Sequence, residues 1–163
     1  MADHYTQFSE IIEDVTPEQA EWIETVLGFD PDDPKFGAED TALAALGDLL
    51  GLNLEEMKER DIEWWPGFEW STRGADNGSL WLHCDEGFQE NCLIAFVQSY
   101  IRKFRPDYIF RVSMAHSCSK PRAGEFGGGW LAISKDKVRG GNTWDASEEA
   151  VKEMMDGKPQ GPT

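Results

Sequence analysis

Between Ala115 and Gly129 the chain reads Ala-His-Ser-Cys-Ser-Lys-Pro-Arg-Ala-Gly-Glu-Phe-Gly-Gly-Gly, and strand-like runs border it on both sides. On the near side Tyr108, Phe110, Val112 and Met114 alternate with Arg111 and Ser113, the period of a half-buried strand. On the far side Trp130-Leu-Ala-Ile-Ser134 reads as a second strand. The pair predicts a hairpin of residues Asp107–His116 and Trp130–Ser134. Its connection holds one Pro, four Gly and two cations, more special-backbone chemistry than a hairpin requires.

A helix leads into this hairpin. From Glu86 to Phe104 the apolar residues Phe88, Cys92, Ala95, Phe96, Tyr100 and Phe104 follow helical spacing. Arg102, Lys103 and Arg105 suit its negative end, and Pro106 stops it. Before the helix, Ile62–Thr72 and Leu80–Cys84 predict an earlier hairpin, with Pro66-Gly67 marking a bulge or an edge strand. Strand, helix and strand in that order predict a parallel crossover between Leu80–Cys84 and Tyr108–His116 if the two share a sheet.

The N-terminal third reads as helical. Thr16, Pro17 and Gln19 form a capping box with Pro at the first helical position, and Gly28 follows the last periodic residue. Glu39–Leu50, closed by Gly51, and Leu54–Arg60 are two further helices. Asp30-Pro-Asp-Asp-Pro34 is a turn-rich linker whose prolines break any calcium-loop pattern. Asp145–Glu148 caps a last helix through Met155, before a tail at 156–163.

The expected fold is therefore α+β in one domain of 163 residues. Residues 1–61 form an acidic helical layer, and 62–155 form a core of a four-stranded mixed sheet (β-β-α-β-β) with a C-terminal helix. Seven Trp and nine Phe argue for a packed core over disorder. No run approaches the ~18 apolar residues of a membrane span, and Met1-Ala-Asp-His does not open like a secretory leader. Three cysteines with no framework spacing fit a reduced, cytoplasmic setting.

Charge is the second lead. The net charge is −16, and residues 1–63 hold 18 acids against 3 bases, a net −15, while the remainder holds 13 against 12. Glu18, Glu21, Glu24, Asp40, Asp48, Glu55, Glu56 and Glu59 all fall on outward helical positions. Such a surface is ordinarily a solvated helix face, or it imitates a phosphate backbone and docks a basic partner. Its sign argues against direct nucleic-acid or membrane binding.

The Ala115–Gly129 loop offers a different chemistry. His116 and Cys118 lie two apart on one strand face, so the imidazole is placed to act as base for the thiol. Lys120, Arg122, Glu125 and the amides of Gly127 and Gly128 could cradle an anion, although no phosphate-loop pattern is present. The plain structural alternative gives Pro121 the turn and the glycines positive φ. His83 and Cys84 could join His116 and Cys118 around zinc, but adjacent residues on a strand point to opposite faces. No metal and no cofactor are expected.

The run Cys118-Ser-Lys-Pro-Arg-Ala-Gly-Glu-Phe-Gly-Gly-Gly129, with Phe96-Val-Gln and Phe104-Arg-Pro106 ahead of it, resembles a family of small proteins encoded by phages, prophages and plasmids. The likeness covers roughly residues 68–144 and brings no activity with it. It implies a mobile-element setting, in which small acidic proteins bind and disable host machinery. The functional expectation is an inhibitor, such as an anti-CRISPR or anti-restriction protein, that occludes a basic nucleic-acid-binding surface of a host complex. The alternative is a small enzyme or anionic-ligand module centred on the His116–Phe126 loop.

Overall fold

The architecture was taken from a computed structural model that describes residues 3–28, 39–62, 64–73, 78–120 and 124–155. The expected linker at Asp30–Pro34 and the tail at 156–163 lie outside the described residues. The elements run β1 (His4–Val15), α1 (Pro17–Leu27), α2 (Glu39–Leu50), α3 (Leu54–Glu59), β2 (Glu69–Arg73), β3 (Gly78–Cys84), α4 (Glu90–Phe104), β4 (Phe110–Cys118), β5 (Gly127–Ile133), β6 (Val138–Asn142) and α5 (Thr143–Met155). The α+β class stands. The four-stranded mixed sheet does not: six strands pair antiparallel in the order β2-β3-β1-β4-β5-β6.

The difference comes from β1. Residues 1–61 are not wholly a helical layer, because their first described segment enters the middle of the sheet. β3 and β4 do run in the same direction about α4, as the crossover argument requires, but β1 lies between them and is antiparallel to both. It pairs with β4 over His4–Gln7 and with β3 from Phe8 onward. Beyond Gln7 it diverges from β4, and the Glu10 carboxylate reaches across to accept the Ser113 N–H at 3.0 Å. A side chain thus satisfies a main-chain donor that the adjacent strand does not reach. Asp14 takes a left-handed conformation (φ 58°) where the register shifts between Ile12 and Val15, returning Val15 to the core.

One face of the sheet carries the core. Phe8, Ile12, Leu80, Leu82, Phe110, Val112, Leu131 and Ile133 pack against α1, α2, α3 and α4 in a single apolar cluster. α4 is its centre, with Cys92 to Gln98, Tyr100 and Ile101 all buried. Complete burial of an aromatic such as Phe96 stabilises by about 1.5–3 kcal/mol. Its neighbour Trp22, on α1, stacks on the Phe96 ring at 6.0 Å and meets Phe104 edge-on at 5.5 Å. Among the described residues no helix covers the other face, where Ile11, Trp130 and the Trp81–His83 stack reside. Also among them, no helix is long and apolar enough to cross a membrane.

The expected capping box of α1 is present and does a second job. Gln19 Oε1 accepts the Thr16 N–H at 3.1 Å and also the Tyr100 hydroxyl at 2.9 Å. Burial pushes the Tyr100 phenol above its ordinary range, and the Arg105 side chain opposes that shift. We expect Gln19→Ala to cost about 1–3 kcal/mol, because it removes one half of the capping box and the acceptor of the buried Tyr100 hydroxyl. Tyr100→Phe in that background should recover part of the loss, and urea denaturation of the double-mutant cycle measures it. Additive losses would show that the two groups are not coupled.

Candidate functional site

Two regions carry the residues that the sequence singles out. The first is the acidic exterior of the helical layer. Glu18, Glu21 and Glu24 on α1, Asp48 on α2, and Glu55 and Glu59 on α3 are exposed. Asp40 lies in α2, with its side chain outside the described residues. Glu56 is a correction: it is partly buried, and its carboxylate accepts the Asn53 N–H at 2.8 Å to complete the capping box of α3. Its carboxylate is tied to the helix start while remaining at the surface. Lys58 and Arg60 interrupt the negative surface at the end of α3. Arg102 and Arg105 make hydrogen bonds to the main-chain carbonyls of Lys135 and Glu13, each at 2.7 Å.

The second region is the end of the sheet where β1, β4 and β5 meet. The hairpin expected there starts earlier on its return side, at Gly127 and not Trp130. Gly127, Gly128 and Gly129 are strand residues that pair with His116, Ala115 and Met114, so their amides do not form an anion-binding loop. Among the described residues of this connection, positive φ is found at Gly124 (+79°). Lys120 is exposed, Glu125 is half-buried, and Arg122 lies outside the described residues.

The run of glycines makes room for rings. A Cβ on Gly127 would come within 2.6 Å of the Trp144 ring, and one on Gly129 within 3.3 Å of His116 Nε2. The His116 and Trp144 rings stack at 5.4 Å over this bare strand. Thr6, opposite His116 in the β1–β4 register, places its hydroxyl 3.1 Å from His116 Nδ1. Gly128 N–H donates to Thr143 Oγ1 at 3.0 Å, and Asn142 caps α5 by accepting the Asp145 N–H at 2.8 Å. That helix starts at Thr143, two residues before the Asp145 cap expected from sequence, and none of its residues is buried. A cleft of about 580 Å³ opens beside the stack, bordered by His4, Thr6, His116, Glu86, Glu90 and Asp145.

His116 and Cys118 keep their places two apart on β4, and each stands opposite a different residue of β1. Cys118 is buried, and it sits opposite His4 in the register, whereas His116 is engaged by Thr6 and Trp144. His83 and Cys84 do not converge on this pair. His83 stacks on Trp81 at 3.9 Å and pairs with Glu69 at 3.7 Å on the uncovered face, and the Cys84 thiol donates to the Gly67 carbonyl at 3.7 Å within the core. Cys92 is held inert by burial, which pushes its thiol up. The residues that sequence reasoning missed here are His4, Thr6 and Trp144. Only the strand propensity of Tyr5, Thr6 and Phe8 hinted at the first two.

No protein-family model matches the chain, and no curated protein or solved structure matches it either. The glycine floor is directly testable. Gly127→Ala should displace Trp144 and cost about 1–3 kcal/mol through overpacking. Trp144→Ala in the same chain should relieve most of that loss, as read by thermal unfolding and tryptophan fluorescence. A Gly127→Ala variant with unchanged emission and midpoint would contradict the packing.

Proposed function

We propose that this chain is a binding protein that presents its acidic helical layer to a cationic surface on a partner. The observation that carries the reading is the set of exposed carboxylates on α1, α2 and α3: Glu18, Glu21, Glu24, Asp48, Glu55 and Glu59. Carboxylates of one sign spread over one layer generate a field that steers a basic partner and repels nucleic acid. Arg102 and Arg105 make hydrogen bonds to main-chain carbonyls and not to these carboxylates. The partner class that fits is a protein whose working surface is itself built to hold a phosphate backbone.

The resemblance of residues 68–144 to proteins of phages, prophages and plasmids gives this chemistry a setting. In the host cytoplasm an acidic binder of this kind competes with nucleic acid for a defence complex, as an anti-CRISPR or anti-restriction inhibitor does. Neither a membrane nor direct contact with nucleic acid enters the reading.

The test uses purified CRISPR interference complexes and restriction enzymes as probes, with DNA binding and cleavage as readouts. Inhibition by the intact chain is expected to weaken as salt rises. A quadruple reversal, Glu18→Lys, Glu21→Lys, Glu55→Lys and Glu59→Lys, should slow association about 10-fold or more with the fold intact. An inhibitor whose association rate ignores both salt and the reversal would defeat the proposal, as would a chain with no effect on any of these probes.

A further inference from the structure

Apart from the acidic layer, the structure gathers three donor groups of different chemistry at one end of the sheet. The ligand atoms of His4, Cys118 and Glu125 lie within 4.8 Å of one another. They come from β1, β4 and the segment leading into β5, and the β1–β4 ladder places His4 directly opposite Cys118. Past that pair the strands remain tied. Ser119 N–H donates to the Asp3 carbonyl, and Asp3 N–H donates to Ser119 Oγ, both at 2.9 Å. His4 is therefore held against Cys118 by main-chain bonds on the side of the pair where the strand would otherwise fray.

We propose that His4, Cys118 and Glu125 form a zinc site. An imidazole, a thiolate and a carboxylate are the donor types zinc takes, and thiolate with imidazole disfavours magnesium and calcium. Tetrahedral bonds of about 2.0–2.3 Å set neighbouring donors roughly 3.3–3.8 Å apart. Side-chain rotation of about an ångström closes the present group to that spacing. Zinc displaces the thiol proton to solvent as the Cys118 sulfur bonds the metal.

Cys118 differs from the other two cysteines in its surroundings, beside His4 and Glu125. Cys84 and Cys92 belong to the apolar cluster, while Cys118 is only 8% exposed yet lies outside it. One carboxylate oxygen of Glu125 is likewise shut off from solvent. Three protein ligands leave a tetrahedral ion one further position, the arrangement of sites that hold water or a substrate. His4 also borders the cleft lined by Thr6 and His116, so the ion would stand at the edge of that cleft.

The experiment uses the full chain without a polyhistidine tag, titrated with zinc against a chromogenic chelator and separately with cobalt. One metal per chain is expected, with a thiolate-to-cobalt charge-transfer band that disappears in Cys118→Ser. His4→Ala and Glu125→Gln should each weaken zinc binding by more than the roughly 10–100-fold that loss of an outer-shell partner costs. Circular dichroism checks that each variant is folded. Should Cys118→Ser unfold, His4→Ala decides alone, since His4 is exposed and its removal leaves the core untouched. Failure of the wild-type chain to compete with the chelator overturns the site. So does full affinity in His4→Ala, or a thiolate band that survives Cys118→Ser. None of these outcomes bears on the acidic layer, whose test reads partner association.

Discussion

Main-chain pairing along β1 makes one sheet out of two separate pieces. The β2–β3 hairpin and the β4–β5–β6 meander share no ladder with each other, and each would end in an open strand without it. β1 closes both, taking β4 with its first residues and β3 with the rest. The price of serving two partners is a gap beside Ser113, which the Glu10 carboxylate fills. The helical layer depends on the same strand, because Phe8, Ile12 and Val15 supply the middle of the floor on which it packs.

What could be read from the chain, and what could not, follows from how local each signal is. The capping box at Thr16–Gln19, the left-handed Gly51 after α2, the two hairpins and the long α4 all announce themselves within a few residues. β1 does not. Glu10 interrupts its apolar alternation for a reason that resides on β4, and the bulge at Asp14 puts Val15 out of phase with Ile12. β6 is equally hidden. Gly140 and Gly141 look like loop residues, but an added Cβ would strike Leu131 or the Trp130 indole, so the strand is bare because its neighbours need the space.

The same explanation covers the candidate site. Cys118 and Glu125 stand out in sequence as part of an unusual loop, but their companion His4 comes from the far end of the chain and is joined to them only by the sheet. His116 stands out too, and the structure gives it Thr6 and Trp144, neither of which its own surroundings in sequence suggest. By contrast the acidic surface was legible from charge and helical spacing, since outward carboxylates on amphipathic helices need no tertiary information. Glu56 belongs to that surface with its carboxylate tied to the start of α3.

The placement of β1 also bears on the order of events during synthesis. Asp3 and Ser119 are bonded although 116 positions separate them, so the strand leaves the ribosome long before either of its neighbours exists. Until β3 and then β4 are made, it has nowhere to dock, and the helices that follow it can only cluster loosely on their own apolar sides. Completion of the native sheet is thus a late event that needs almost the whole polypeptide.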